Sequence, residues 1–234
     1  MSLEQRELYI KDIFSTVAPS IDLLNRSFSF GFDRLWRSQA VSRSGIRKGD
    51  QVLDVCTGTG DLAFILSRHV GPKGSVTGTD FCTEMLEVAK LKTKPQHRNL
   101  SFIFSNTKKL PFPDNSFDAV TVAFGMRNIP DTSSALTEIK RVLKPGGKYV
   151  CLELTRPHAL WFRKIYDWYS FRIMPFFAKF VVKTSKPYTY LPRSINAFYP
   201  PQEFRQIIAE NGFADVTIDS LTMGIATIYR AVKN

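Results

Sequence analysis

The chain has 234 residues, 44% hydrophobic and 23% charged, which fits a single large globular domain, residues 1–234, rather than two ordinary ones. It lacks a run of about eighteen apolar residues, which excludes a membrane-spanning helix, and the opening MSLEQRELYIKD is too polar for a signal peptide. With 32 Lys and Arg against 21 Asp and Glu the net charge is +11, a balance that suits an anionic partner, either nucleic acid or an anionic membrane surface.

Residues up to about Ser44 are predicted to form helices that cap the domain. Strands and helices then alternate, the mark of a parallel sheet with crossover helices. Strand one is Gln51–Val55, followed by a turn at Gly58 and Gly60, where the absence of a Cβ lets backbone approach a ligand. Asp61 opens a helix to about His69, its charge suiting the positive end of the helix dipole. Strand two, Ser75–Asp80, ends in an acid able to accept hydrogen bonds from a ribose diol. A helix follows at about Thr83–Thr93, and strand three is about Leu100–Ser105. Strand four is Phe117–Phe124, its helix runs from about Ser133 to Leu143, and strand five is Lys148–Leu154. A helix at Pro201–Asn211 and strands at Ala214–Ser220 and Thr222–Val232 close the chain as a hairpin.

The least regular part is Arg156–Tyr199. Trp161–Phe204 holds fourteen aromatic residues, and Trp161–Pro200 carries seven basic residues against one acid, Asp167. Two readings of this stretch (residues 156–200) stay open. It is a lid over a hydrophobic acceptor, resting on a membrane surface, or a helical cap packed onto the core. Trp161, Phe162, Trp168, Tyr169, Phe176 and Phe177 are the residues at issue.

Gly58-x-Gly60-x-x-Ala63 fits a relaxed dinucleotide fingerprint, and Asp80 suits any ribose diol, so NAD(P) and S-adenosylmethionine are not separated by them. Later segments separate them. Leu110–Val120, LPFPDNSFDAV, and Arg141–Gly147, RVLKPGG, resemble the signature of class I methyltransferases. Phe14–Trp36, FSTVAPSIDLLNRSFSFGFDRLW, with Phe124–Asn128, FGMRN, and Arg141–Glu153, RVLKPGGKYVCLE, resembles the UbiE/MenG family of quinone-ring C-methyltransferases, from about Phe14 to Lys233. The resemblance implies an α/β, Rossmann-like class I methyltransferase fold. Its sheet would be seven-stranded and mostly parallel, ending in an antiparallel hairpin, with a helical cap over residues 1–44 and an aromatic helical insertion before the last helix. It also implies S-adenosylmethionine as methyl donor and a polyprenylated quinol as acceptor, with demethylmenaquinol slightly preferred over the benzoquinol intermediate of ubiquinone synthesis. A cytoplasmic protein with transient contact at the inner face of the membrane follows, with a homodimer as a general expectation and no nucleic-acid partner.

Residue roles carry over from that resemblance by position. Gly58, Thr59 and Gly60 border the methionine part of the donor. Asp54 either reaches its amino group or holds the loop. Asp80 takes the ribose hydroxyls, and Asn106 reads the adenine amine with Thr107 beside it. Ala123 completes the donor side, where the family often has Ser, while Phe81 and Met85 pack on the adenine or in the core. Arg127, a permanent cation, would stabilise a phenolate or else form a structural salt bridge, and Asn128 would orient the ring oxygen or a bridging water. Asp61 either helps to remove the phenolic proton or is a helix-terminal acid. Ile21-Asp22 stands where the family usually has Tyr-Asp, and Asp33 where it has His, which bears on the acceptor. His69, His97 and His158 are scattered and no metal site is expected. Cys56, Cys82 and Cys151 lack ligand spacing and read as reduced thiols. The rival readings are an RNA methyltransferase and a non-catalytic scaffold on the same fold.

Overall fold

The computed structural model describes residues 2–174 and 186–234. Helices α1 (Leu3–Val17), α2 (Ile21–Phe28) and α3 (Phe32–Arg43) form the N-terminal cap. Ser2 starts α1 through a reciprocal capping box with Gln5. The alternating part follows as β1 (Gln51–Val55), α4 (Asp61–Val70), β2 (Ser75–Asp80), α5 (Thr83–Lys92), β3 (Leu100–Phe104), β4 (Phe117–Ala123), α6 (Thr132–Val142) and β5 (Leu143–Leu154). Helix α7 (Leu160–Trp168) opens the aromatic stretch, and α8 (Lys186–Ala197), α9 (Pro201–Glu210), β6 (Phe213–Leu221) and β7 (Ala226–Lys233) end the described chain.

The strands make one seven-stranded sheet in the order β3-β2-β1-β4-β5-β7-β6, with β7 antiparallel to both neighbours and the other pairings parallel. Central β1 is buried on both faces, which is why it reads as a nearly continuous apolar run. Its pleat sends Leu53 and Val55 into a core with Leu136, Ile139, Phe204 and Tyr229, and Val52 into the opposite core with Ala63, Leu66 and Val76. Strand order reverses at β1, with β2 on one side and β4 on the other, so the carboxyl ends of these strands open a crevice there.

Two boundaries differ from the sequence expectation by more than one residue. Strand β5 starts at Leu143 rather than Lys148, because Leu143 already pairs with Phe117 and the Pro145-Gly146-Gly147 bend is absorbed as a register shift before Ala119 meets Lys148. Strand β7 starts at Ala226 rather than Thr222, because Thr222–Gly224 forms a 3₁₀ turn with Met223 in the left-handed region, at φ 55°. Phe176 and Phe177 lie outside the described residues.

Candidate active site

The loop after β1 is built around two buried carboxylates. Parallel register sets Thr121 of β4 beside Asp54 of β1. Asp54 accepts hydrogen bonds from the Thr121 hydroxyl at 2.7 Å and the Thr57 hydroxyl at 2.6 Å. Asp80 accepts from the backbone N–H of Gly58 at 2.8 Å and of Cys82 at 2.9 Å, tying the glycine turn to the start of α5. Burial pushes both carboxyls up to about 6, partly offset by these donors. Each carboxylate oxygen of Asp54 and Asp80 thus takes one of these bonds and keeps a lone pair beyond it, Asp54 bonding to hydroxyls and Asp80 to backbone.

Glycine is required where the strand ends crowd together. A Cβ on Gly60 (φ 83°) would stand 2.7 Å from the Phe102 ring, and one on Gly125 would stand 2.5 Å from the Cβ of Cys56. Cys56 and Phe124, the residues just past β1 and β4, both take left-handed backbone, at φ 52° and 60°. Such strain collects where a site over-determines its backbone.

A cavity opens over these strand ends. Asp54, Gly58, Thr59, Asp61, Asp80, Asn106, Thr107, Ala123, Arg127 and Asn128 all line it. Of the residues expected to bind the donor or act on the acceptor's proton, Gly60 alone does not line this chamber, whereas Asp22 and Asp33, expected to bear on the acceptor, also lie outside its wall. Phe81 and Met85 line it as well. Asn106 accepts the Lys108 N–H through its Oδ1, and the Thr107 hydroxyl lies 3.6 Å from the Cys56 sulfur. Helices α1 and α2 roof the chamber with Ile13, Phe14, Val17, Ile21 and Leu24. The roof is fastened by Lys92, whose Nζ donates at 2.6 Å to both Asp22 and Asp61, while Asp22 also accepts the Thr59 hydroxyl at 2.5 Å. Asp61 is therefore an ion-paired carboxylate bonded through Oδ1.

Arg127 sits on a 3₁₀ turn, Met126–Asn128, after β4. Its Nη1 donates to Glu153 Oε1 at 2.6 Å and to the Phe124 carbonyl, and its backbone N–H donates to Glu153 Oε2 at 3.1 Å. The pair is buried, with side chains 6% and 0% exposed. Glu153 thus cancels much of the charge that the sequence assigns to Arg127 alone. Arg127 Nε is buried with no acceptor. Asn128 has both ends engaged: Nδ2 donates to the Phe124 carbonyl at 3.3 Å and Oδ1 accepts from the Tyr190 hydroxyl at 2.9 Å.

A second cavity adjoins the first, lined mainly by Phe28, Phe30, Phe32, Trp36, Phe162 and Tyr169. Asn25, Phe28, Phe124, Arg127 and Leu191 line both. The aromatics singled out in sequence divide: Phe162 and Tyr169 face this cavity, whereas Trp161 and Trp168 are 61% and 62% exposed. Sequence reasoning missed Glu153, Lys92, Asn25 and Tyr190 as parts of the site. Glu153 closes the quoted segment RVLKPGGKYVCLE, and Asn25 falls inside the quoted N-terminal segment, so both were in view without a role.

No helix among the described residues is long and apolar enough to cross a membrane, and no group of potential metal ligands occurs among them. The three cysteines are free.

The fold is that of class I methyltransferases. A SAM dependent methyltransferase from Aquifex aeolicus superposes with a TM-score of 0.64 at 24% identity, covering 85% of this chain and 89% of that one. In sequence, the chain is 39% identical over 232 residues to the ubiquinone/menaquinone biosynthesis C-methyltransferase UbiE of Francisella tularensis subsp. novicida, covering 98% of this chain and 93% of that protein. It is 42% identical over 221 residues to the demethylmenaquinone methyltransferase of Staphylococcus aureus, covering 94% and 91%. The model of the ubiE/COQ5 methyltransferase family matches residues 2–233. On that match and those identities, the chain that folds around Asp80 and the FGMRN turn belongs to the ubiE/COQ5 methyltransferase family.

Proposed function

We propose that the protein is an S-adenosylmethionine-dependent C-methyltransferase acting on the ring of a polyprenylated quinol, with demethylmenaquinol preferred over the benzoquinol intermediate of ubiquinone synthesis. The observation that carries this reading is the joining of a carboxylate-lined chamber to an aromatic one at Phe124 and Arg127. Donor and acceptor have to meet in line at such a junction.

The residues fit the donor. A Cβ on Gly58 would meet nothing within 4 Å, so the loop leaves room for a ligand against the backbone. Asp80 has lone pairs for a ribose diol, and Asn106 and Thr107 stand at the end of β3 for the adenine. Asp54, Asp61 and Asp80 give the chamber a negative lining that suits a sulfonium cation. When bound, S-adenosylmethionine supplies an already activated methyl group, so the protein's work is orientation and control of the acceptor's proton.

A quinol carbon is a weak nucleophile until its neighbouring hydroxyl gives up proton density. Arg127 Nε, buried without an acceptor, suits a ring oxygen. Asp61, ion-paired with Lys92, remains a candidate proton acceptor through water. The aromatic cavity suits the prenyl chain. Exposed Trp161 and Trp168, with Lys164 and Arg172 near them in sequence, favour transient contact with an anionic membrane surface at the cytoplasmic face. In this reading residues 1–234 act as one domain, with 1–44 as the roof over the donor and 156–200 as the acceptor-side lid.

The test is methyl transfer from labelled S-adenosylmethionine to short-chain demethylmenaquinol and, in parallel, to a short-chain benzoquinol, under reducing conditions. Product from the naphthoquinol establishes the reading, and product from the benzoquinol alone moves the enzyme to ubiquinone synthesis. No product from either, with donor binding intact, sinks the quinol assignment.

A further inference from the structure

The FGMRN turn presents one polar group to the chamber from outside its own segment. Tyr190, on α8, donates its hydroxyl to Asn128 Oδ1 at 2.9 Å and lines the same cavity as Arg127 and Asp80. Its ring meets Tyr9 of α1 edge-on, with centroids 6.1 Å apart, and α8 packs on both α1 and the turn. The hydroxyl is thereby held from two directions.

Asn128 spends one amide hydrogen on the Phe124 carbonyl and one Oδ1 lone pair on the Tyr190 hydroxyl. It thereby fixes the direction of the Tyr190 O–H. A hydroxyl that donates once keeps two lone pairs, and those of Tyr190 remain available on the cavity side. Burial raises the Tyr190 hydroxyl above its ordinary value, so it stays protonated and its one hydrogen stays with Asn128. Arg127 supplies a donor, Nε, but no acceptor.

We propose that Tyr190 is an acceptor-binding residue: its Oη accepts a hydrogen bond from the ring hydroxyl next to the methylated carbon, while Asn128 holds the tyrosine in place and Arg127 donates to the same ring oxygen. The proposal rests on the quinol reading above. Tyr190 takes no proton in it. By drawing the ring O–H toward a neutral acceptor it turns the ring and raises electron density at the carbon that is methylated. Methionine-side and adenine-side contacts with the donor do not involve it.

The experiment compares two ligands on the full chain, a short-chain quinol and the same ring lacking the hydroxyl next to the methylated carbon, each titrated with S-adenosylhomocysteine present. Wild type is expected to bind the full quinol roughly five- to tenfold more tightly, the size of one hydrogen bond between neutral groups. Tyr190→Phe is expected to bind the two within about twofold of each other, with S-adenosylhomocysteine affinity unchanged, because a single neutral hydrogen bond is all that is removed. A Tyr190→Phe variant that keeps the wild-type discrimination overturns the proposal while leaving the quinol reading intact. A wild type that binds neither ring overturns both together.

Discussion

Arg127 and Glu153 form a buried pair, Nη1 to Oε1 at 2.6 Å, between the turn after β4 and the neighbouring strand β5. Glu153 also accepts the backbone N–H of Arg127, so it positions the whole turn as well as the guanidinium. Removing one member of such a pair strands the other charge out of water. Glu153→Ala is expected to cost about 3–5 kcal/mol. For a chain of this length, that lowers the unfolding midpoint by roughly 6–20 °C. Replacing both, with Arg127→Met and Glu153→Leu, should recover most of the midpoint and still leave no turnover. Calorimetric melting with a methyl-transfer assay on wild type and the two variants checks this, and full turnover in the double variant would reduce the pair to a structural role.

Asp80 links donor binding to pH. Burial pushes its carboxyl up to about 6, and in the proposed binding mode the ribose hydroxyls donate to the ionised form. Binding must therefore release the proton, and affinity must fall as pH drops through that value. The donor is expected to bind about tenfold more weakly at pH 5 than at pH 7. Titration calorimetry at pH 5, 6 and 7, in buffers of different ionisation heat, reads both the affinity and the proton release. Flat affinity across this window would separate Asp80 from the ribose. Asp80→Ala should weaken binding by roughly tenfold or more at pH 7, since a charged hydrogen-bond partner is lost.

Lys92 holds the roof to the glycine loop through Asp22 and Asp61. Both bonds are partly exposed, so their worth to global stability is small, but they lie across the donor's chamber. Lys92→Met is expected to shift the melting midpoint by no more than about 2 °C, while raising the donor's dissociation rate several-fold. Added salt should quicken donor release proportionally more in wild type than in the variant, because only in wild type does it also screen the pairs that fasten the roof. Stopped-flow release at two salt concentrations is the measurement, and an unchanged rate would detach the roof from donor retention.

Gly125 leaves no space for a side chain, because its missing Cβ would overlap that of Cys56, itself on left-handed backbone. Gly125→Ala is expected to push the FGMRN turn off the loop after β1, costing about 1–3 kcal/mol and most of the turnover. Gly58→Ala meets no protein atom, so its stability cost should be only that of positive φ, about 1 kcal/mol, while its Cβ takes up room proposed for the donor. Equal losses of stability in the two variants would contradict the crowding at Gly125.

Asp80 and the turn at Gly58 were legible because strand, glycine turn and helix are consecutive, so every signal lies within a few residues. The hairpin at the end was legible as well, but its first boundary was not, since Met223 takes a conformation that nothing in Leu-Thr-Met-Gly announces. Glu153 needed the adjacency of β4 and β5, which sheet order decides and local pattern does not. Asp22 reaches Thr59 only after α2 has folded back over the loop. Asn128 lines the chamber, but the hydroxyl bonded to its Oδ1 belongs to Tyr190, in the aromatic stretch where periodicity is weakest.

Leu191 borders both chambers, and Tyr190 next to it borders the first. One helix, α8, therefore forms part of the wall around each ligand. The two occupancies cannot be energetically independent under such an arrangement: whichever molecule enters first sets α8 for the second, and the spent donor leaves against a wall that the methylated ring still props. Steady-state kinetics of this enzyme should accordingly show synergy between its two reactants and inhibition by product that depends on which of them is saturating.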